Sequence, residues 1–155
     1  DSHCTLAIHD REGHDDVLHI LDQEGWPERV IMHCFSGGAD LARECVRHGA
    51  WLSFPGVLTF KNAERTRQAL HATPVDKILV ETDAPFLTPH PRRGKRNGPY
   101  LIAHTIRFLS EQLDWDEASC CEQLRRNTLA AYGGPWEDVH GVTPLQLPAS
   151  GEETR

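Results

Sequence analysis

The sequence predicts an α/β fold built on a parallel sheet. Short, nearly continuous apolar runs recur along the 155 residues, and most are followed by a segment with apolar residues at helical spacing. Glycine or proline marks most of the junctions. Strands that are apolar throughout, rather than alternating, are expected where both faces of a sheet are buried, as in parallel sheets. Two architectures satisfy the pattern, an open doubly wound sheet and a (β/α)8 barrel.

CTLAIH (residues 4–9) is the first predicted strand. HDDVLHILDQEG (14–25) follows as a helix, with Val17, Leu18, Ile20 and Leu21 at helical spacing and Gly25 as its stop. RVIMHCF (29–35) is the second strand. ADLARECVRHG (39–49) puts Leu41, Ala42, Cys45 and Val46 on one helix face and stops at Gly49. AWLSF (50–54) is the third strand. NAERTRQALHATP (62–74) offers Asn62 as an N-cap, Ala69 and Leu70 as inward residues and Pro74 beyond the end. DKILVET (76–82) is the fourth strand. After a proline-rich loop, Pro99 suits a first helical turn. Leu101, Ile102, Thr105, Ile106, Leu109 and Leu113 then form an apolar stripe. Asp114 and Glu117 read as a D-x-x-E capping box opening a last helix from Trp115, closed by Gly133 and Gly134. Residues 1–133 are thus one globular unit, and 134–155, polar and rich in proline and glycine, are expected to be a flexible tail.

A formal net charge of −7 argues against binding nucleic acid through overall charge. It leaves a nuclease open, because metal ions supply a local positive field. The five cysteines include no CxxC and their number is odd, so neither a disulfide framework nor a zinc knuckle is signalled, and a reducing cytoplasm is expected. No apolar run is long enough to cross a bilayer and no leader opens the chain, so no membrane association is expected. SGGAD (36–40) lacks GxGxxG or a GK[ST] lysine, which argues against a nucleotide phosphate loop.

The polar residues collect where strands stop: His9, Asp10 and Arg11 after the first, His33 on the second, Ser53 on the third, Glu81, Thr82 and Asp83 after the fourth. In parallel α/β folds these ends share one face. Two imidazoles and a carboxylate there suit a divalent metal. Taken singly, each has an ordinary structural alternative: a strand-end histidine is often a satisfied structural residue, and Asp83 serves equally well as a turn residue. Their conjunction on successive strands points to metal. Arg11 is either a phosphate or carboxylate clamp or a salt-bridge partner. The run RRGKR (92–96) is either a phosphate patch or a solvated loop.

IHDR (8–11), HCFSG (33–37), LSFPG (52–56), ETDAPFL (81–87) and RGKRN (93–97) occur in the order and spacing of the TatD family, which the chain resembles from about Leu6 to Gly133. These are metal-dependent deoxyribonucleases and related hydrolases of the amidohydrolase-like TIM-barrel group. The resemblance implies a barrel whose complete site holds two divalent ions, Mg, Mn or Zn, on its carboxyl face. It implies that His9 and His33 bind one metal and Asp83 the other, with Glu81 beside them, so that Asp83 and Glu81 carry the catalysis. A metal-held water would attack phosphorus. Arg11, Ser36, Arg93, Lys95 and Arg96 are the expected contacts to substrate, DNA.

The chain also departs from the family pattern. Its four strands match the last four of eight, so the expected fold is the C-terminal portion of a TIM-type barrel, about four β/α units, with the N-terminal strands missing. The family's HxH strand and its Glu-bearing strand have no counterpart. DSHC at the start resembles the HxH motif but has Thr5 at the second histidine position, which leaves His3 as its one candidate ligand. Either a deletion joins this motif to the fifth strand, or the similarity is coincidental. Gly98 stands where many relatives carry an acid before the proline. The family's two-metal pair thereby loses its bridge, so one metal or none is expected on this chain. Three functions remain open: a DNA phosphodiester hydrolase, an inactive barrel fragment with structural or interaction behaviour, and an amide or ester hydrolase of the same barrel group. Self-association is expected through the sheet edges at 4–9 and 76–82, which a closed barrel would not expose.

Overall fold

The computed structural model describes residues 4–133. Four strands, β1 (Leu6–His9), β2 (Val30–His33), β3 (Trp51–Phe54) and β4 (Ile78–Val80), alternate with helices α1 (His14–Glu24), α2 (Ala39–Arg47) and α3 (Glu64–Ala72). Two further helices, α4 (Ile102–Leu113) and α5 (Glu117–Tyr132), follow the long loop after β4. Short 3-10 turns occupy Gly56–Thr59, Val75–Lys77 and Pro99–Leu101.

All pairings are parallel and the strand order is β1-β2-β3-β4. This order decides between the two architectures. A doubly wound sheet reverses direction at a switch point, whereas here each strand is added on the same side. Right-handed crossovers then put the intervening helices on one face. Strand alternation agrees. Ile8, Val30, Met32, Leu52, Phe54 and Ile78 pack with Ala42, Cys45, Leu70, Leu109 and Leu124 of the helices. The opposite face carries Ile31, Trp51 and Leu79, clustered with Ala131 of α5, and farther along the strands His9, His33, Ser53 and Glu81. The chain is an arc of a TIM-type barrel, with helices outside and the second face as the barrel interior.

Helix α5 closes the amino end of this arc. Asn127, 2% exposed, donates from Nδ2 to the carbonyls of Val75 and Ile78, both at 2.7 Å, and Thr5 Oγ1 donates to the Ala131 carbonyl at 2.8 Å. The carboxyl ends are left to the loops.

Several expectations need correction. The strands are shorter than the apolar runs: residues 75–77 form a 3-10 turn before β4 rather than strand. Asn62 does not cap α3; Ala63 occupies that position without a side-chain bond. The turn before the helix is instead held by Arg67, which donates to the Phe60 carbonyl at 2.8 Å. The capping box is displaced by two residues. Asp114 ends α4 in the left-handed region (φ 54), and Asp116 caps α5, accepting from the Ser119 N–H at 2.9 Å. Ending α4 needs a residue that tolerates positive φ, and aspartate does so better than most. Gly133 ends α5 as expected. Of the two anticipated edges, β4 has its apolar side chains covered, with Ile78 at 1% and Leu79 at 4% exposure, whereas Leu6 of β1 is 43% exposed. His3, Gly134 and the expected tail at 134–155 lie outside the described residues.

Candidate metal centre

Parallel register sets His9 directly beside His33 at the carboxyl ends of β1 and β2, with ring centres 5.5 Å apart. Two strands further on, Glu81 extends the sheet by donating its N–H to the Phe54 carbonyl at 3.2 Å. Its side chain therefore points along the same face as His33. Glu81 Oε2 accepts from His33 Nδ1 at 2.8 Å and from the Cys34 N–H at 3.2 Å. That bond fixes the tautomer: with the proton on Nδ1, the Nε2 lone pair is directed away from Glu81. Nε2 lies 3.9 Å from Asp83 Oδ1. Two atoms bound to one ion cannot be farther apart than their summed bond lengths, roughly 4.2 Å, so this gap accommodates a shared cation. His33, Glu81 and Asp83 each offer an atom within 4.8 Å of the others, the one such group of three among the described residues.

Glu81 Oε1 is buried and has no hydrogen-bond partner among the described residues. An orphaned carboxylate oxygen in a half-enclosed site is costly unless a cation compensates it. The negative field also reaches Cys34, whose thiol is pushed up to about 11 by burial first and then by the Glu81 and Asp83 charges, with Arg11 pulling the other way. One nitrogen and several carboxylate oxygens suit Zn, Mn or Mg rather than a soft metal. A carboxylate on the far nitrogen of a ligating histidine is the usual arrangement for orienting it.

The loop carrying Asp83 is held from beneath. Asp83 has φ 54, in the left-handed region that aspartate tolerates better than most residues, and its carbonyl accepts from the Phe86 N–H at 2.9 Å. Asn97, 6% exposed, pins this turn: Nδ2 donates to the carbonyls of Thr82 at 2.7 Å and Phe86 at 2.6 Å, and Oδ1 accepts from the Gly98 N–H at 2.9 Å. Gly56 lets the loop settle on β3, since a Cβ there would stand 2.2 Å from the Leu87 carbonyl oxygen.

A family profile described as "TatD related DNase" matches residues 1–133. The chain belongs to this family. It is 44% identical over 131 residues to the Mycobacterium tuberculosis protein described as "Uncharacterized metal-dependent hydrolase TatD", which covers 84% of this chain and 50% of the relative. Over 108 residues it is 47% identical to the Bacillus subtilis metal-dependent hydrolase YabD, covering 68% of this chain and 42% of the relative. The crystal structure of YjjV, a TatD homolog from Escherichia coli, superposes with a TM-score of 0.76 at 27% identity, over 83% of this chain and 50% of that one. The chain spans about half the length or less of these relatives.

Within this TatD fold the residues singled out from sequence fall into three groups. His33, Glu81 and Asp83 meet in one cluster. His9 is adjacent to His33 but outside that cluster, and it is exposed. Ser36 is held by a 3.4 Å bond from Oγ to the Asp10 carbonyl. Arg11, Arg93, Lys95 and Arg96 are exposed, and Arg93 stacks its guanidinium 3.6 Å over the Phe60 ring. Three contributors had no role assigned from sequence. Asn97 is one. Cys34, which supplies a backbone donor to Glu81, is the second. Asp10 is the third: it accepts from the Gly13 N–H at 3.0 Å and pairs with His14, fixing the start of α1. The D-x-x-x-H spacing of Asp10 and His14 was a legible signal for that pair.

No helix among the described residues is long and apolar enough to cross a membrane.

Proposed function

We propose that this chain carries a divalent-metal site of a TatD-type hydrolase that cuts phosphodiester bonds in DNA. The observation that supports it most is the convergence of His33, Glu81 and Asp83 within 4.8 Å, with a His33 Nε2 to Asp83 gap of single-ion width. His33 and Asp83 would hold the ion, with Glu81 fixing the His33 tautomer and His9 standing next to the site. When bound, such an ion supplies Lewis acidity and lowers the pKa of a water. The chain's own contribution is positional. Asn97 and Gly56 hold the turn that carries Asp83, and Arg11, Arg93, Lys95 and Arg96 place positive charge on exposed loops of an otherwise acidic protein, where a phosphate could be met.

The test is a cleavage assay on supercoiled plasmid and single-stranded DNA with Mg, Mn or Zn, with and without chelator. Cleavage that chelator abolishes supports the proposal. Turnover of a generic ester without DNA cleavage would favour the small-molecule alternative, and no turnover of either favours a fragment with an interaction role. A metal titration of Asp83→Ala against Asp76→Ala localises the site. Asp76 is exposed at the amino end of β4, so its loss should leave metal binding unchanged.

A further inference from the structure

Phe86 is 68% exposed and Tyr100 66% exposed, the two most exposed large hydrophobic residues of the described chain. Neither supports the core. Both lie on the loop whose first turn carries Asp83, and their backbones are tied to it. The Phe86 N–H closes the turn on the Asp83 carbonyl at 2.9 Å, so its Cα lies within about 7 Å of that of Asp83, the span of such a turn. Asn97 holds the Phe86 carbonyl with Nδ2 and the Gly98 N–H with Oδ1, and the Tyr100 ring lies against Gly98. Between them the same loop presents Lys95 and Arg96, exposed and without an ion-pair partner among the described residues. Two exposed aromatic side chains on a loop that also carries unpaired cations, one turn from a metal-directed carboxylate, match the requirements of an unpaired nucleic-acid strand: stacking surfaces for bases and positive charge for the backbone.

We propose that Phe86, with Tyr100 on the same loop, is a stacking platform for an unpaired nucleobase adjacent to the phosphate met by the ion at Asp83, and so a specificity-determining residue. This rests on the phosphodiesterase function proposed above. A base inside a duplex already has both faces covered by its neighbours, whereas an unpaired base has a face to offer. Phe86 therefore favours single strands, with little sequence preference, since every base has a π-face.

The experiment measures binding by fluorescence anisotropy, using a short labelled phosphorothioate oligonucleotide that resists cleavage, with Mn present, at fixed salt. Phe86→Ala should weaken binding by about 5- to 150-fold, the range for loss of one stacked base. Phe86→Trp should restore it, and thermal melting should show both variants as stable as the wild type. A strand with an abasic site opposite Phe86 should bind the wild type as weakly as Phe86→Ala binds the intact strand, and Phe86→Ala should no longer tell the two strands apart. Undiminished binding by Phe86→Ala would overturn the proposal. So would an equal loss for intact and abasic strands, or a wild type that binds no strand. Cleavage of an ordinary strand, assayed in parallel, separates the two ideas. Cleavage that is indifferent to Phe86 leaves the hydrolase standing and removes the platform. Phe86-dependent binding without cleavage does the reverse.

Discussion

Replacing Asn97 by alanine removes three hydrogen bonds from one side chain, at 2.6, 2.7 and 2.9 Å, and leaves two carbonyls and one N–H to find other partners. Each such bond contributes about 1 kcal/mol net, and a group left buried without a partner costs about 1–3 kcal/mol. The Gly98 N–H is buried, whereas the Thr82 and Phe86 carbonyls are nearer solvent and water can replace the lost donor. The expected destabilisation is therefore about 2–4 kcal/mol rather than the full sum, a fall in Tm of roughly 6–15 °C. The effect should also reach the metal. Asp83 sits in the turn that Asn97 pins, and a turn freed of those bonds samples other backbone angles, carrying the carboxylate away from His33. Metal affinity, read by calorimetric titration well below the melting temperature, should drop together with Tm. Asn97→Asp keeps the acceptor but sets a carboxylate against two carbonyls, and should be worse. A variant that melts within a degree of wild type, or one that melts early while binding metal normally, would refute the coupling between this staple and the site.

Three further outcomes are expected. Replacing Arg93, Lys95 and Arg96 by serine should flatten the log–log salt dependence of single-strand binding by about 2, at roughly 0.7 per lost phosphate contact; an unchanged slope would mark the run as a solvated loop. Leu6→Lys should reduce self-association measured by light scattering under reducing conditions, because a charge on an exposed edge strand opposes pairing; a wild type that is already a clean monomer would remove the premise. Burial pushes the Cys45 thiol from 9.0 to about 12 and Cys120 to about 11. The folded state then retains protons that the unfolded chain loses, so stability should be full below pH 9 and fall as pH rises toward 12. Cys45→Ala should shrink that alkaline loss in urea melts at pH 8 and 10.

The parts that were legible in the sequence are those with local causes. Continuous apolar runs located the four strands, and helical spacing placed Ala69, Leu70, Thr105 and Leu109 inward, where they are buried. Strand-end chemistry picked out His33, Glu81 and Asp83. The choice between a barrel arc and a doubly wound sheet was not visible in the pattern itself, because both alternate strand and helix; strand order is a long-range property. Helix starts misled for a related reason. Asn62 and Asp114 have the right side chains for caps, but Arg67 and the left-handed end of α4 settle those junctions through bonds that no local motif encodes. Asn97 was hidden inside a basic run whose charges drew attention to its neighbours. His9 has the right residue type and the right strand end, and its ring centre lies 5.5 Å from that of His33, beside the cluster of three.

The most direct test of the metal site is anomalous diffraction from crystals loaded with Mn or Zn. The predicted result is one strong peak between His33 Nε2 and Asp83, bonded to each at roughly 2.0–2.2 Å, with Glu81 still accepting from His33 Nδ1. A peak elsewhere on the protein, or a fully loaded crystal with none between these two residues, would contradict it.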